Sequence, residues 1–303
     1  MSQGMQLSAA REARTFAFWS RQFSELAPPL PASLDLSGKI AVITGSNVGL
    51  GFESARHLLS RKLDRLILAV RSQSKGDEAA SELRRQYPKA EIQVWIVDMA
   101  SYKSISAFVE RCGGLPRIDI AILNAGLVLD EFVCIGEKQR ETALQVNFLS
   151  TAFLALKLIR FLRPTSQSPE PGRLTMVGSD TIYHSEKNLR DPLTKSLIGS
   201  FDEPSTFPGG FEQYVMAKFY LAWFVEKLAT QVSVDHVIVN MAMPGLCKGT
   251  SFIRPPHDTW YMKLALALMG KTATRGANAI VTAAVVLSKA SHGGLINEGN
   301  IKP

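Results

Sequence analysis

The chain of 303 residues is expected to fold as one α/β domain, a doubly wound parallel sheet preceded by an N-terminal helical arm. Three observations lead there. From Lys39 onward, short and nearly continuous apolar runs alternate with segments of helical length, the pattern of a parallel sheet covered on both faces. A glycine cluster follows the first apolar run directly. Hydrophobic residues make up 46% of the chain, enough for a large core and too many for a disordered one. Folds of this class reach roughly 250 residues as single units, so length does not demand a second domain.

Residues 1–36 read as the arm. Ala9 to Leu26 suits a helix, with Phe16, Trp19 and Phe23 three and four positions apart, and Pro28, Pro29 and Pro31 end it. The plain expectation is a helix packed on the domain; a membrane surface or a partner is the alternative. The main domain, 37–303, follows. Its expected strands are Ile40–Thr44, Arg65–Val70, Glu91–Val97, Ile118–Leu123, Arg173–Val177 and His236–Met241. Its expected helices are Gly49–Arg61, Gln73–Tyr87, Tyr102–Cys112, Glu137–Leu162 and Tyr214–Val232. Crossovers between parallel strands are right-handed, which gives a Rossmann-type sheet. Residues 185–212, rich in Pro, Ser and Gly, read as an irregular insertion of the kind that serves as a lid.

Composition narrows the function classes. Lys and Arg exceed Asp and Glu for a net charge of +7, but no run of five or six basic residues occurs. Scattered surface charge with one anion pocket is therefore expected, with no nucleic acid as partner. Cys112, Cys134 and Cys247 form no CxxC pair, and the five histidines are dispersed, so no metal site is expected. Sparse cysteines and the lack of a signal-peptide pattern at the N-terminus predict a cytoplasmic protein. The apolar stretch Thr142–Leu162 contains Gln145, Asn147, Lys157 and Arg160, which favours a buried or interface helix over a membrane span.

The loop Gly45-Ser46-Asn47-Val48-Gly49-Leu50-Gly51 has G-x-x-x-G-x-G spacing. Glycines allow a tight turn and close approach of backbone N–H groups to a pyrophosphate, and the helix from Gly49 points its positive end at that anion. Strand-to-helix turns use glycine anyway; what gives this cluster weight is its place after the first strand of an alternating series. The second strand ends in Val70-Arg71-Ser72. An NAD site would place Asp or Glu there for the ribose hydroxyl; Arg71 instead suits a 2′-phosphate, with Ser46 as a second contact, and the expected cofactor is NADP(H). The alternative is an ordinary solvated arginine. Asp98, before Met99, would accept from the adenine amino group or else cap the next helix. Asn124-Ala125-Gly126 would let the cofactor lie against the sheet edge, with Asn124 tying two loops together.

Tyr214 and Lys218 are four apart on one helical face. An ammonium beside a phenol favours the phenolate, so the pair suits general acid–base work, with Tyr214 as proton donor. Ser179, just after the fifth strand, would polarise the substrate oxygen. Asn147, a buried amide, would hold a water that feeds Lys218, or would serve as a structural amide that kinks its helix. Backbone at Pro244-Gly245 would bond the nicotinamide carboxamide.

With these residues assembled, the chain from about Leu36 to its end resembles the short-chain dehydrogenase/reductases, and within them the retinol-dehydrogenase-like branch widespread in fungi. The resemblance implies that Asn147, Ser179, Tyr214 and Lys218 form a catalytic tetrad and that hydride passes to one face of a planar carbonyl. It departs in three places. Ser179 and Tyr214 lie 35 positions apart, wider than usual, which the insertion accounts for. Thr250 falls one place later than the common pattern, which puts its carboxamide contact in doubt. The ending Asn300–Pro303 comes early, as in a short or truncated form. The expected activity is NADPH-dependent reduction of a ketone or aldehyde on a bulky, apolar small molecule, within secondary metabolism. An alcohol dehydrogenase working oxidatively, or a reductase-derived enzyme coupling a non-redox step, are the alternatives. The aromatic and apolar residues Trp260, Tyr261, Met262, Leu264, Leu266 and Met269 would contribute to the substrate pocket, unless that stretch is simply an amphipathic helix packed on the core. The resemblance and the apolar stretch Thr142–Leu162 together point to a homodimer.

Overall fold

The computed structural model describes residues 22–23, 27–166, 168–183, 197–248 and 270–302. The arm helix expected over Ala9–Leu26 lies outside them except at Gln22 and Phe23, as do Thr250 and the apolar residues of 260–269.

An eight-stranded sheet forms the centre. Strands β1 (Ile40–Thr44), β2 (Arg65–Val70), β3 (Glu91–Ile96) and β4 (Ile120–Leu123) alternate with helices α1 (Gly49–Leu59), α2 (Gln73–Gln86) and α3 (Tyr102–Cys112). A small hairpin, β5 (Cys134–Ile135) with β6 (Arg140–Glu141), comes next. A π-helical turn, Leu144–Ser150, then runs into α4 (Thr151–Leu162). Strand β7 (Gly172–Val177), helices α5 (Leu197–Phe201) and α6 (Gly210–Gln231), strand β8 (Val237–Met243) and helix α7 (Ala273–Val281) follow, and the described chain closes on β9 (Leu295–Asn297) and β10 (Asn300–Lys302). The sheet order is β10-β9-β8-β7-β4-β1-β2-β3, parallel except for the antiparallel edge strand β10. The order reverses between β1 and β4, and the crevice outside the strand ends at such a reversal is where ligands bind.

Alternation along the strands divides the core in two. Val42, Ile67 and Trp95 pack on one face with Phe108, Leu158 and Val225. Ala41, Ile43, Leu66 and Leu68 pack on the other with Leu58, Leu83 and Ile280. Every residue of β1 is buried, as a doubly covered central strand requires. Leu30 and Leu36 join the second cluster, so the end of the arm is part of the domain's packing.

Two expectations are corrected. The long helix does not begin at Glu137. Gly136 and Gln139 take positive φ (73° and 48°) in the β5–β6 turn, and helical structure starts only after Glu141. Of the insertion, the described part is not irregular throughout: α5 occupies Leu197–Phe201, and α6 begins at Gly210, four residues before Tyr214. Among the described residues, Leu144–Leu162 is long and apolar enough to cross a membrane; it packs Leu154, Leu158 and Leu162 into the core instead.

Candidate active site

The glycine loop leaves β1 at the point where the sheet order reverses. Gly45 and Gly49 hold φ of 63° and 60°, the left-handed region that favours glycine. At Gly51 space decides: a Cβ would sit 2.4 Å from the Gly45 carbonyl oxygen and 2.6 Å from Asn124 Nδ2. Helix α1 starts with no side chain capping its N-terminus and no acidic residue in its first turn, so its amide end is open to an anion. Asn47, Gly49 and Leu50 are half-buried around that end, and Val48 is exposed.

Asn124 ties the β1 and β4 loops together, as expected. Its Nδ2 donates to the carbonyls of Thr44 (3.0 Å) and Gly45 (3.1 Å). Thr44 Oγ1, which sequence reasoning passed over, accepts from the N–H groups of Asn124 and Ala125. Ser46 is fully buried and donates its hydroxyl to the Ile43 carbonyl at 2.8 Å, so its proton is already in use. Arg71 is exposed at the end of β2. A groove of about 450 Å³ opens between the loop and α2, lined by Asn47, Val48, Gly49, Phe52 and Lys75, and Lys75 is a second cation that the sequence did not single out. Asp98 accepts the Ala100 N–H in a tight turn, while Ser101 caps α3, so Asp98 is not that helix's cap. Met99 is buried, and its carbonyl accepts from Ser150 Oγ.

The four residues expected to do chemistry come together at the ends of β4 and β7. Tyr214 and Lys218 lie on α6, 5% and 4% exposed, so both reacting groups are shielded from bulk water. Burial pushes the Tyr214 hydroxyl well above its ordinary pKa; a hydrogen bond with Ser179 pulls it down, and the Asp180 carboxylate raises it further. Burial also lowers Lys218 to about 8. Lys218 Nζ donates to the Val177 carbonyl at 2.8 Å and lies 5.8 Å from the centre of the Tyr214 ring. In the protein alone, then, the ammonium does not make Tyr214 acidic; burial prevails and the phenol keeps its proton. Ser179 Oγ also bonds Thr181 Oγ1 at 2.8 Å.

Asn147 sits in the π-helical turn, fully buried. Its Nδ2 donates to the Leu127 carbonyl (2.9 Å) and its Oδ1 accepts the Leu127 N–H (3.0 Å). The amide thus holds the Asn124–Leu127 turn against α4. Gly126 lies between: a Cβ there would be 2.8 Å from Asn147 Oδ1 and 3.4 Å from Lys218 Nζ. Glu141, buried and missed in the sequence, accepts the N–H groups of Ala143 and Leu144 and a hydrogen bond from Gln213, and burial raises its pKa. It links the start of the Asn147 turn to the residue beside Tyr214. Pro244 and Gly245 follow β8, with Gly245 at φ 74°. Among the described residues no cluster of His, Cys, Asp and Glu could hold a metal ion.

Comparison with known proteins shows the family of the chain and, from solved structures, the fold. Residues 39–184 match the short chain dehydrogenase profile. The short chain dehydrogenase opdN of Penicillium oxalicum is 46% identical over the full length of both chains. The short chain dehydrogenase virL of Hypocrea virens is 40% identical, covering all of this chain and 88% of that one. The crystal structure of L-sorbose reductase from Gluconobacter frateurii, solved with NADPH and L-sorbose, superposes with a TM-score of 0.65 at 20% identity, covering 86% of this chain and 95% of that one. The chain belongs to the short-chain dehydrogenase family of oxidoreductases.

Proposed function

We propose that this protein is an NADPH-dependent carbonyl reductase acting on a bulky, apolar ketone or aldehyde in secondary metabolism. The observation that carries the reading is a buried Tyr214 hydroxyl hydrogen-bonded to Ser179, with Lys218 one turn further along α6.

Arg71 at the end of β2, with Val70 where an acidic residue would favour NAD, supports a 2′-phosphate ligand. The uncapped N-terminus of α1 and the glycine loop suit a pyrophosphate, and the sorbose reductase with the same fold was solved with NADPH. Asn47, Gly49 and Leu50 would offer backbone N–H groups to the phosphates, while Gly45, whose own N–H is donated to the Ala69 carbonyl, and the buried Ser46 and Gly51 would shape the loop around them. Asp98 and Met99 would border the adenine, Asn124-Ala125-Gly126 the sheet edge, and Pro244-Gly245 the carboxamide.

Bound NADPH supplies the hydride. Ser179 and Tyr214 are hydrogen-bonded to each other, and a carbonyl oxygen placed between them would take hydrogen bonds from both and gain negative charge as reduction proceeds. Tyr214 then gives its proton to that oxygen, and Lys218 stabilises the phenolate left behind. Phe211, half-exposed and tilted at 33° to the Tyr214 ring, supplies apolar surface close by. That surface suits an apolar substrate. All three cysteines are free thiols, in keeping with a cytoplasmic location. Leu156 and Trp223, about half exposed on the neighbouring helices α4 and α6, are the apolar side chains available to a second copy in a homodimer.

The test is NADPH consumption against a panel of cyclic ketones and aldehydes. The Tyr214→Phe variant should lose about 10²–10⁴-fold in turnover, the usual contribution of a positioned general acid. Full turnover by that variant would show that another group donates the proton.

A further inference from the structure

The N-terminal arm reaches the far side of the site. Gln22 is buried, although its neighbour Phe23 is exposed. Its side-chain amide pairs in both directions with the backbone of Leu246: Nε2 donates to the carbonyl at 2.9 Å, and Oε1 accepts the N–H at 3.2 Å. The amide meets the loop as a neighbouring strand would, across 224 positions of sequence. The Leu246 carbonyl also accepts the Lys271 N–H at 2.9 Å, and the Lys271 carbonyl in turn accepts the Lys248 N–H at 2.8 Å.

Gly245 stands inside this clamp. A Cβ there would fall 3.1 Å from Gln22 Oε1 and 3.2 Å from Lys271 Nζ. Lys271 is itself fixed by a buried ion pair with Glu298, and Glu298 accepts the Ala27 N–H with its other oxygen. Asn278 of α7 donates to the carbonyls of Ala27 and Pro28. The arm is therefore pinned twice. Residues 27–28 are tied to α7 and the β9–β10 turn, and Gln22 is tied to the loop after β8. A bidentate amide fixes both the position and the orientation of the peptide unit it meets.

We infer that Gln22 is a positioning residue for the nicotinamide half of the cofactor: it holds Pro244-Gly245-Leu246 in the conformation that offers backbone to the carboxamide. This rests on the proposed reading, in which that loop meets the carboxamide. The arm is then a working part of the active site, and its influence is confined to one end of the cofactor. The adenosine end would be built by the loops after β1, β2 and β3, whereas the hydrogen bonds described for Gln22 go to Leu246.

That confinement provides the test. NADPH and 2′-phospho-ADP-ribose, which lacks the nicotinamide ring, are titrated separately against the full-length chain and against Gln22→Ala. Wild type should bind NADPH more tightly than the fragment. Gln22→Ala should weaken NADPH about tenfold and leave the fragment unchanged, the scale of losing a buried hydrogen-bonded pair. A general structural defect would weaken both ligands alike, so equal loss for both, or no loss for either, overturns the role of Gln22. If Gln22→Ala fails to fold, Gln22→Met keeps the length without the amide and is judged by the same pair of affinities. A wild-type chain that binds the two ligands equally shows instead that the loop does not meet the nicotinamide, and that result ends the underlying reading.

Discussion

Tyr214 and Lys218 are both buried, and burial acts on them in opposite directions. It keeps the phenol protonated, which suits a donor. It also makes the Lys218 ammonium costly, since its pKa falls from 10.5 to about 8. In the unfolded chain Lys218 holds its proton more tightly, so the cost to folding is full below pH 8. It shrinks as pH rises from about 8 to 10.5, because the folded state has then already released the proton. A shift of this size corresponds to an upper bound of about 3 kcal/mol. Lys218→Met, of similar length and apolar, should therefore stabilise the protein at pH 7 by about 1–2 kcal/mol, with the lost bond to the Val177 carbonyl offsetting the remainder. It should abolish reduction at the same time. Urea melts of both proteins at pH 7 and pH 10 decide this: the gap should narrow at the higher pH. A variant less stable than wild type at pH 7 would mean that the lysine's contacts outweigh its burial. If Lys218 is catalytic as proposed, its cost to stability is the trade-off expected at an active site.

At the scale of elements, the β1–α1 turn shows how little freedom the cofactor loop has. Gly51→Ala would press a methyl group onto the Gly45 carbonyl and the Asn124 amide, so α1 would have to move away from β4. The expected cost is about 1–3 kcal/mol of stability and a loss of NADPH affinity greater than tenfold. Gly38→Ala is the control. Gly38 has positive φ but nothing within 4 Å of an added Cβ, so stability should drop without affecting cofactor affinity. Thermal melts and NADPH titrations of the two variants separate backbone strain from loop displacement; equal affinities for both would remove the role assigned to Gly51. Such local constraints explain what could be read from the sequence. The bounds of β1, β2 and α3 follow from unbroken apolar runs and from periodicity. The start of the Asn147 helix did not, because the β5–β6 strands have two residues each, too short for any period, although Gly136 marked their turn. Strands β9 and β10, three residues each around Glu298-Gly299, escaped for the same reason. Thr44, Glu141 and Gln22 were invisible for another reason: they act by hydrogen bonds to distant segments, and neither composition nor spacing encodes those.

At the scale of the whole molecule, the crevice between β1 and β4 separates two halves of one sheet, and on the proposed reading a cofactor lying across it would touch both. The glycine loop and Arg71 belong to the β1–β3 half; Lys218 and the Pro244-Gly245 loop belong to the β7–β8 half. A ligand that binds only the assembled halves stabilises the fold by mass action, by about 2.7 kcal/mol at a concentration 100 times its Kd. NADPH should therefore raise the melting temperature by several degrees, and NADH at the same concentration should raise it much less. The net charge of +7 does not predict that difference, because a dispersed positive surface attracts both nucleotides. On the proposed reading the difference would depend on one guanidinium at the end of β2, that of Arg71. Arg71→Asp replaces a partner for the 2′-phosphate with one for the ribose hydroxyl and repels the phosphate. In that variant the order should invert, with NADH becoming the stronger stabiliser, while the melting temperature without nucleotide stays close to wild type because Arg71 is exposed. If the order of the two nucleotides is unchanged in Arg71→Asp, the 2′-phosphate is recognised elsewhere, and Lys75, lining the groove beside the glycine loop, becomes the residue to replace next.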